Sequence, residues 1–481
     1  MAADYVVMIS YLVAMVAIGW YAANRARTKS DFLVAGRRLG YVMYSGTMAA
    51  VVIGGGSTIG GVRLGYLYGI SGAWLVLTIG LGVLGLSLLF AKRINRLKIF
   101  TVSEMLQLRY GGASAAMSGV VMWAYALMIM VTSTVACSTI FGVLFDLDKT
   151  ASVALGGGIV VIYSVLGGMW SITLTDMVQF AVKTVGVLLV LTPVAVGKAG
   201  GFDGLRAAGP ETFSLWHIGA ETIFTYVLIY FLGLFIGQDI WQRVFTARDD
   251  RVAVIGGSVS GLYCVAYAFG GALIGTATKV LYPDLALPDD AFATVVNGVL
   301  PTGVRGLVLA AALAAVMSTA SGGLLACATV AGSDLWPRLR RLLGRTGDYD
   351  EVRASRVLIL LFGITGIVIA ALLSDVLEAL SIAYNLLVGA LLVPIIGGLV
   401  WRRGNRQGAM AGIVAGGLVV VVLMITDGPL ANEPIMYGLP VSLVGYVVVS
   451  LLTPRTEAAV LEAWQRRLAG AAAEPDEVVT T

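Results

Sequence analysis

The sequence predicts an all-α integral membrane protein, and three observations carry that expectation. Of 481 residues, 58% are hydrophobic and only 12% charged, with a strongly positive mean hydropathy, outside the range of ordinary soluble domains. Apolar runs of about 17 to 28 residues recur along the whole chain, long enough to cross the ~30 Å hydrocarbon layer as helices. The alternation with a period of two that a membrane β-barrel requires is absent.

Reading apolar runs between charged or Pro/Gly-rich breaks gives about thirteen spans. The first, 5–23, is preceded by Asp4 and followed by "NRARTKS", the flank of a retained helix with an outside N-terminus and not of a cleaved leader. The second, 41–67, holds "VVIGGGSTIGG" at 51–61, and the third, 71–90, holds "GLGVLG". Then come 115–143, 150–167 and 172–196, the last with Asp176 and Lys183 inside it. Next are 219–237, 252–280 and 305–333, which contains "AAVMSTASGG". The series closes with 355–374, 378–400, 408–427 and 435–453.

With the N-terminus outside, 25 of the 32 Lys and Arg residues fall on cytoplasmic segments, Arg243, Arg248, Arg251 and Arg345 among them. Five are external, and only Arg63 and Lys183 lie within spans. This asymmetry orients the chain, with the C-terminus in the cytoplasm. No connection is long enough for a water-soluble domain, and "AAAEPDEVVTT" has the composition of a disordered tail. Cys137, Cys264 and Cys327 all fall in apolar runs and read as small packing residues, with no disulfide or metal site. The only histidine, His217, is external, and no nucleophile motif or phosphate loop appears, so an enzyme is not expected. Nor is a nucleic-acid partner.

Five glycines in eleven positions at 51–61 would each cost a continuous helix about 1 kcal/mol relative to alanine. Unwound backbone in a bilayer is tolerated where it is buried or lines a cavity, so a break near Gly54 to Thr58 points to a binding site. Close packing through glycine is the other reading. In the ninth span, Ala315, Ser318 and Thr319 share one helical face, presenting a carbonyl and two hydroxyls to a cation, or else bonding back to their own helix.

Five segments resemble the sodium:solute symporter family: "DFLVAGRRLG" at 31–40, "GGMWSITLTDMVQ" at 167–179, "GQDIWQRVFTARD" at 237–249, "AAVMSTASGGLLACATVAGSDLW" at 314–336 and "GGLVWRRGNRQGAMAGIVAG" at 397–416. The resemblance implies a leucine-transporter-like core of two inverted five-helix repeats. The chain then divides into an N-terminal helix and loop (1–40), a first repeat (41–196), a second (197–400), two C-terminal helices (401–453) and a cytoplasmic tail (454–481). It also implies a main sodium site made by the carbonyls of Ala50, Ile53 and Ala315 and the hydroxyls of Ser318 and Thr319. A second sodium site found in some members would use Asp176 and Ser321. There Gly322 departs from the pattern, standing where those members have a second serine.

The stretch matching the sugar site of other members offers Val52, Gly54, Gly55, Ser57 and Thr58, which suits a small solute held by backbone amides better than a polyol. Lys183, two turns after Asp176, has three readings: counter-ion of a solute carboxylate, structural ion pair with Asp176, or proton-linked substitute for an ion. Tyr230 is a candidate wall of the site, and Arg63 a candidate gate or first capture point for an anion. The expected activity is sodium-coupled import of a monocarboxylate or an amino acid, by alternating access in a monomeric transport unit within the lipid bilayer. The alternatives are a proton-coupled or sodium-independent transporter using Lys183, or a transporter-like solute sensor.

Overall fold

The computed structural model describes residues 2–344, 349–373 and 375–470. Arg345 and the tail segment "AAAEPDEVVTT" lie outside the described residues. Apart from a single bridge between Leu39 and Ala247, the regular structure among the described residues is helical.

In chain order the helices used below are α1 (Ala2–Ala23), α2 (Tyr41–Val52), α3 (Gly61–Tyr68), α4 (Trp74–Leu89), α5 (Gly112–Phe145), α6 (Lys149–Lys183), α7 (Ala220–Tyr226) and α8 (Gln238–Val244). They continue with α9 (Gly257–Leu281), α10 (Val304–Val330), α11 (Glu351–Leu372), α12 (Val376–Val400), α13 (Arg406–Thr426), α14 (Glu433–Leu452) and α15 (Ala458–Ala469).

Among the described residues, 10 helical stretches are long and apolar enough to cross a membrane, where the sequence reading has thirteen spans. The difference lies at three places. The run 41–67 is broken after α2, and its second half continues into the stretch Gly56–Leu89. The runs 150–167 and 172–196 join in Lys149–Lys198. The run 219–237 forms only the shorter apolar helix Ala220–Phe231.

Several helices begin at side-chain caps, which satisfy N–H groups that have no partner within the first turn. Asp148 accepts from the Ala151 N–H, Asp350 from those of Val352 and Arg353, Asp375 from those of Leu377 and Glu378, and Asn405 from that of Gly408. Inside α6 the direction of the chain changes at Gly168, whose φ of 54° and ψ of −136° belong to a region almost reserved for glycine. A Cβ there would also lie 2.4 Å from the Phe32 carbonyl oxygen.

The centre of the molecule is α10, buried along most of its length and packed against α5, α6 and α1. Its start is fastened to α1 by Asp4, which accepts from the Gly303 and Gly306 N–H groups at 2.8 Å and from Arg305 at 2.6 Å. On the other side α9 packs against α3 and α4. Helices α13 and α14 pair with each other outside α12, and Trp464 of α15 donates to the Gly398 carbonyl at 3.0 Å. Large apolar side chains such as Leu88, Leu360, Leu418 and Leu443 face outward, the arrangement that lipid contact requires.

Gly168→Ala should lower stability by about 1–3 kcal/mol through backbone strain, before any cost of moving Phe32. Gly158→Ala, on the same helix with open space around it, should not. Thermal unfolding in detergent checks both.

Candidate functional site

Helix α2 stops in mid-chain at Val52, where Ile53 turns to extended geometry (φ −94°, ψ 90°). Helical winding resumes by Gly56, and wide turns over Gly56–Gly60 lead into α3. The break falls at Ile53 and Gly54. Its closeness to α10 explains the glycine, since a Cβ on Gly54 would lie 2.4 Å from the Thr319 hydroxyl oxygen.

A helix end leaves its last four carbonyls without N–H partners inside the helix. Here side chains meet the last four carbonyls of α2. Lys183 Nζ donates to the Ala49, Ala50 and Ile53 carbonyls at 3.3, 3.0 and 3.2 Å. Ser318 Oγ is 2.7 Å from the Ala50 carbonyl and 2.9 Å from that of Ala315, and Thr319 Oγ1 donates to the Val51 carbonyl at 2.6 Å. Ser57 Oγ reaches the Val52 carbonyl at 3.3 Å. The structure thus brings Ala50, Ile53, Ala315, Ser318 and Thr319 to one place. Neutral oxygens of this kind suit a hard cation. Two of them, Ala50 and Ile53, already accept from the Lys183 ammonium.

The residues expected at a second ion site have other partners. Asp176, with its side chain wholly buried, accepts from the Thr47 hydroxyl and from Arg243 Nη2 at 3.3 Å. Ser321 donates to the Ser318 carbonyl of its own helix at 3.1 Å. A Cβ on Gly322 would meet Val51 at 2.4 Å and Arg243 Nη2 at 3.2 Å, so the space of the absent serine side chain is already taken. Arg243 itself corrects the sequence reading. Counted there among loop cations, it is a fully buried residue of α8. Of the three readings of Lys183, the ion pair with Asp176 is not formed, since Asp176 pairs with Arg243 instead.

A second break produces α8. After the helix that begins at Ala220 the chain turns over residues 234–236, Gly237 is extended (φ −61°, ψ 132°), and α8 starts afresh at Gln238. This puts Asp239 in the first turn of α8, where Tyr125 donates to Oδ1 at 2.9 Å. Asp239 lines a small cavity of about 20 Å³, room for about one water. Of the expected solute residues, Val52, Gly54 and Ser57 line the cavity, as does Thr319. Tyr384 and Ser133 line it too, and Ser133 Oγ has no protein partner.

Gly55, Thr58, Lys183 and Tyr230 lie elsewhere. Gly55 faces Ala136, Thr58 pairs with Tyr267 at 2.9 Å, and Tyr230 pairs with Ser381 at 3.3 Å while its ring stacks edge-on against Tyr384. The sequence reading missed Asp239 and Arg243. Their signal was a Gly followed at once by polar residues in "FIGQDIWQR", which ends one helix and begins another.

Arg63 of α3 binds Asp289 at 3.3 Å and Asp375, the cap of α12, at 3.1 Å. It ties three separate segments over this end of the molecule, as a gate would. Burial raises the Asp289 carboxyl above its ordinary value, with Arg63 opposing.

Two predictions follow from these charges. Arg243→Gln leaves Asp176 buried and unpaired, and should cost about 3–5 kcal/mol of stability; adding Asp176→Asn should recover most of it, as a double-mutant cycle in denaturant would show. Arg63→Gln removes two partly exposed ion pairs worth about 1 kcal/mol together, or about fivefold in the open population. Thiol labelling of Ser57→Cys from the Asp289 face should rise accordingly.

Comparison with known proteins accords with this geometry. Residues 32–416 match the sequence model of the sodium:solute symporter family. The osmoregulated proline transporter OpuE of Bacillus subtilis is 27% identical, over 92% of this chain and 94% of that protein. The sodium/pantothenate symporter of Escherichia coli is 28% identical, over 92% and 95%. A Na+-coupled sialic acid symporter, solved in a substrate-bound outward-open state, superposes with a TM-score of 0.81 at 18% identity, over 95% of this chain and 99% of that one.

Proposed function

The chain belongs to the sodium:solute symporter family, a sodium-coupled symporter of a small organic solute and not an enzyme, and on that premise we propose that its solute is an amino acid taken up by alternating access. One observation carries this reading: the cavity between the two broken helices is lined both by a carboxylate, Asp239, and by Gly56 and Ser57, where the helix restarts after Gly54. A helix N-terminus with free N–H groups attracts a carboxylate, and Asp239 attracts an ammonium group. A zwitterion meets both. A monocarboxylate, the other expected cargo, would leave Asp239 without an opposite charge, and Lys183 has its three N–H bonds directed at α2. Among the relatives, the proline transporter supports the same class.

In this reading the two inverted repeats run over 41–196 and 197–400, each beginning with a broken helix, and rock about the cavity. The main cation site lies between the end of α2 and Ala315, Ser318 and Thr319. The N-terminus is external and the C-terminus cytoplasmic, an asymmetry of Lys and Arg that holds without Arg243. One cation moved through ~100 mV supplies ~2.3 kcal/mol, and a tenfold gradient adds ~1.4, together enough for roughly a few-hundred-fold accumulation. The position of Lys183 favours a second reading, transport without sodium.

The test is uptake of labelled amino acids and monocarboxylates into proteoliposomes, with and without an inward sodium gradient. Amino acids should accumulate, and Asp239→Asn should reduce their uptake at least ~10-fold, the cost of losing a buried charge partner, while the protein stays folded. Uptake of monocarboxylates alone, unaffected by Asp239→Asn, would refute the assignment.

A further inference from the structure

We propose that the ammonium of Lys183 is itself the cation of the main site in the closed carrier, so that sodium and Lys183 are alternative occupants of the Ala50 and Ile53 carbonyls. The inference rests on the reading of those carbonyls as the coupling site.

The fit is one of donor count and direction. A lysine ammonium has three N–H donors and no acceptor, and three carbonyls stand within 3.0–3.3 Å of Nζ. All three belong to the C-terminal end of α2, the negative end of a helix dipole and a natural place for a cation. The side chain is wholly buried, and no N–H remains for a solute carboxylate.

Its charge is not taken up by an ion pair. Asp176, two turns earlier on α6, is bonded to Arg243 and Thr47. The other titratable group facing Nζ is Cys264 of α9, and α10 presents only the neutral groups of Ala315 and Ser318 to the same carbonyls. Lys183 therefore stands among neutral oxygens as a free ion would, with the difference that it is tied to α6 by its own stem. While it is seated, Ala50 and Ile53 cannot also surround sodium. Sodium gains the site when the lysine withdraws, and the lysine takes it back when sodium leaves, so the end of α2 keeps a cation: Lys183 joins it to α6, and sodium would join it to α10.

The experiment measures melting temperature against sodium chloride, with potassium chloride at equal ionic strength as reference, for the wild type, Lys183→Met and Lys183→Gln. Gln keeps a hydrogen-bond donor for the carbonyls and guards against a variant that fails to fold. Removing the tethered cation should lower the midpoint of sodium-specific stabilisation at least ~10-fold in either variant, since mass action then favours the open site. A midpoint equal to that of the wild type in a folded variant would overturn the proposal. Uptake by the wild type separates this from the sodium-coupled reading. If the wild type transports its solute without regard to sodium while the variants bind sodium tightly, the tethered cation stands and sodium coupling falls. If uptake follows sodium and the midpoints do not differ, the reverse holds.

Discussion

A helix that ends inside a membrane leaves carbonyl groups that no water can reach, and the rest of this molecule is arranged around meeting that demand at the end of α2. An unsatisfied polar group in hydrocarbon costs several kcal/mol, so the ends of Lys183, Ser318, Thr319 and Ser57 are held where the carbonyls need them. Three of those side chains come from α6 and α10. The break is therefore a junction: loosening any of these helices from α2 exposes carbonyls, and a cation that binds them pulls the same helices together. On the proposed reading, this links ion occupancy to the opening and closing of the carrier.

The charged side chains Asp176, Asp239 and Arg63 do not compete for that junction. Asp176 is committed to Arg243 and Thr47, Asp239 to Tyr125 and the cavity, and Arg63 to Asp289 and Asp375 at one end. Buried pairs contribute little net stability over apolar residues of the same shape, but breaking one is expensive. Asp176 and Arg243 join α6 to α8, and Arg63 joins α3 to the segments before α10 and α12. Ion pairs thus tie together elements far apart in the chain, while Gly54, Ser57 and Tyr384 give the cavity an uncharged wall beside Asp239.

Much of this was legible in the sequence, and the illegible part has a common cause. Apolar length gave the helices, and glycine density gave the break in α2, because both are local properties. Ser318 and Thr319 were legible as adjacent hydroxyls within a long, mainly apolar run. The second break was not, since "GLFIGQDIWQR" lacks the glycine density of the first and its polar residues look like the start of a loop. Arg243 was therefore placed in water, although it lies buried against Asp176. Lys183 was visible as an intramembrane cation, but its spacing left its partner open between a solute carboxylate, Asp176 and an ion site. Helical spacing says which residues share a face; it does not say which neighbouring helix end a four-carbon side chain will reach.

The most direct measurement is a high-resolution cryo-electron microscopy structure of the protein in lipid nanodiscs, prepared in sodium chloride without solute. The account predicts continuous side-chain density from Lys183 to the carbonyls of Ala49, Ala50 and Ile53 at hydrogen-bond distance, about 3 Å, in the closed form. An isolated ion coordinated by Ala50, Ile53 and Ser318 in that closed form, with Lys183 turned away from α2, would contradict it.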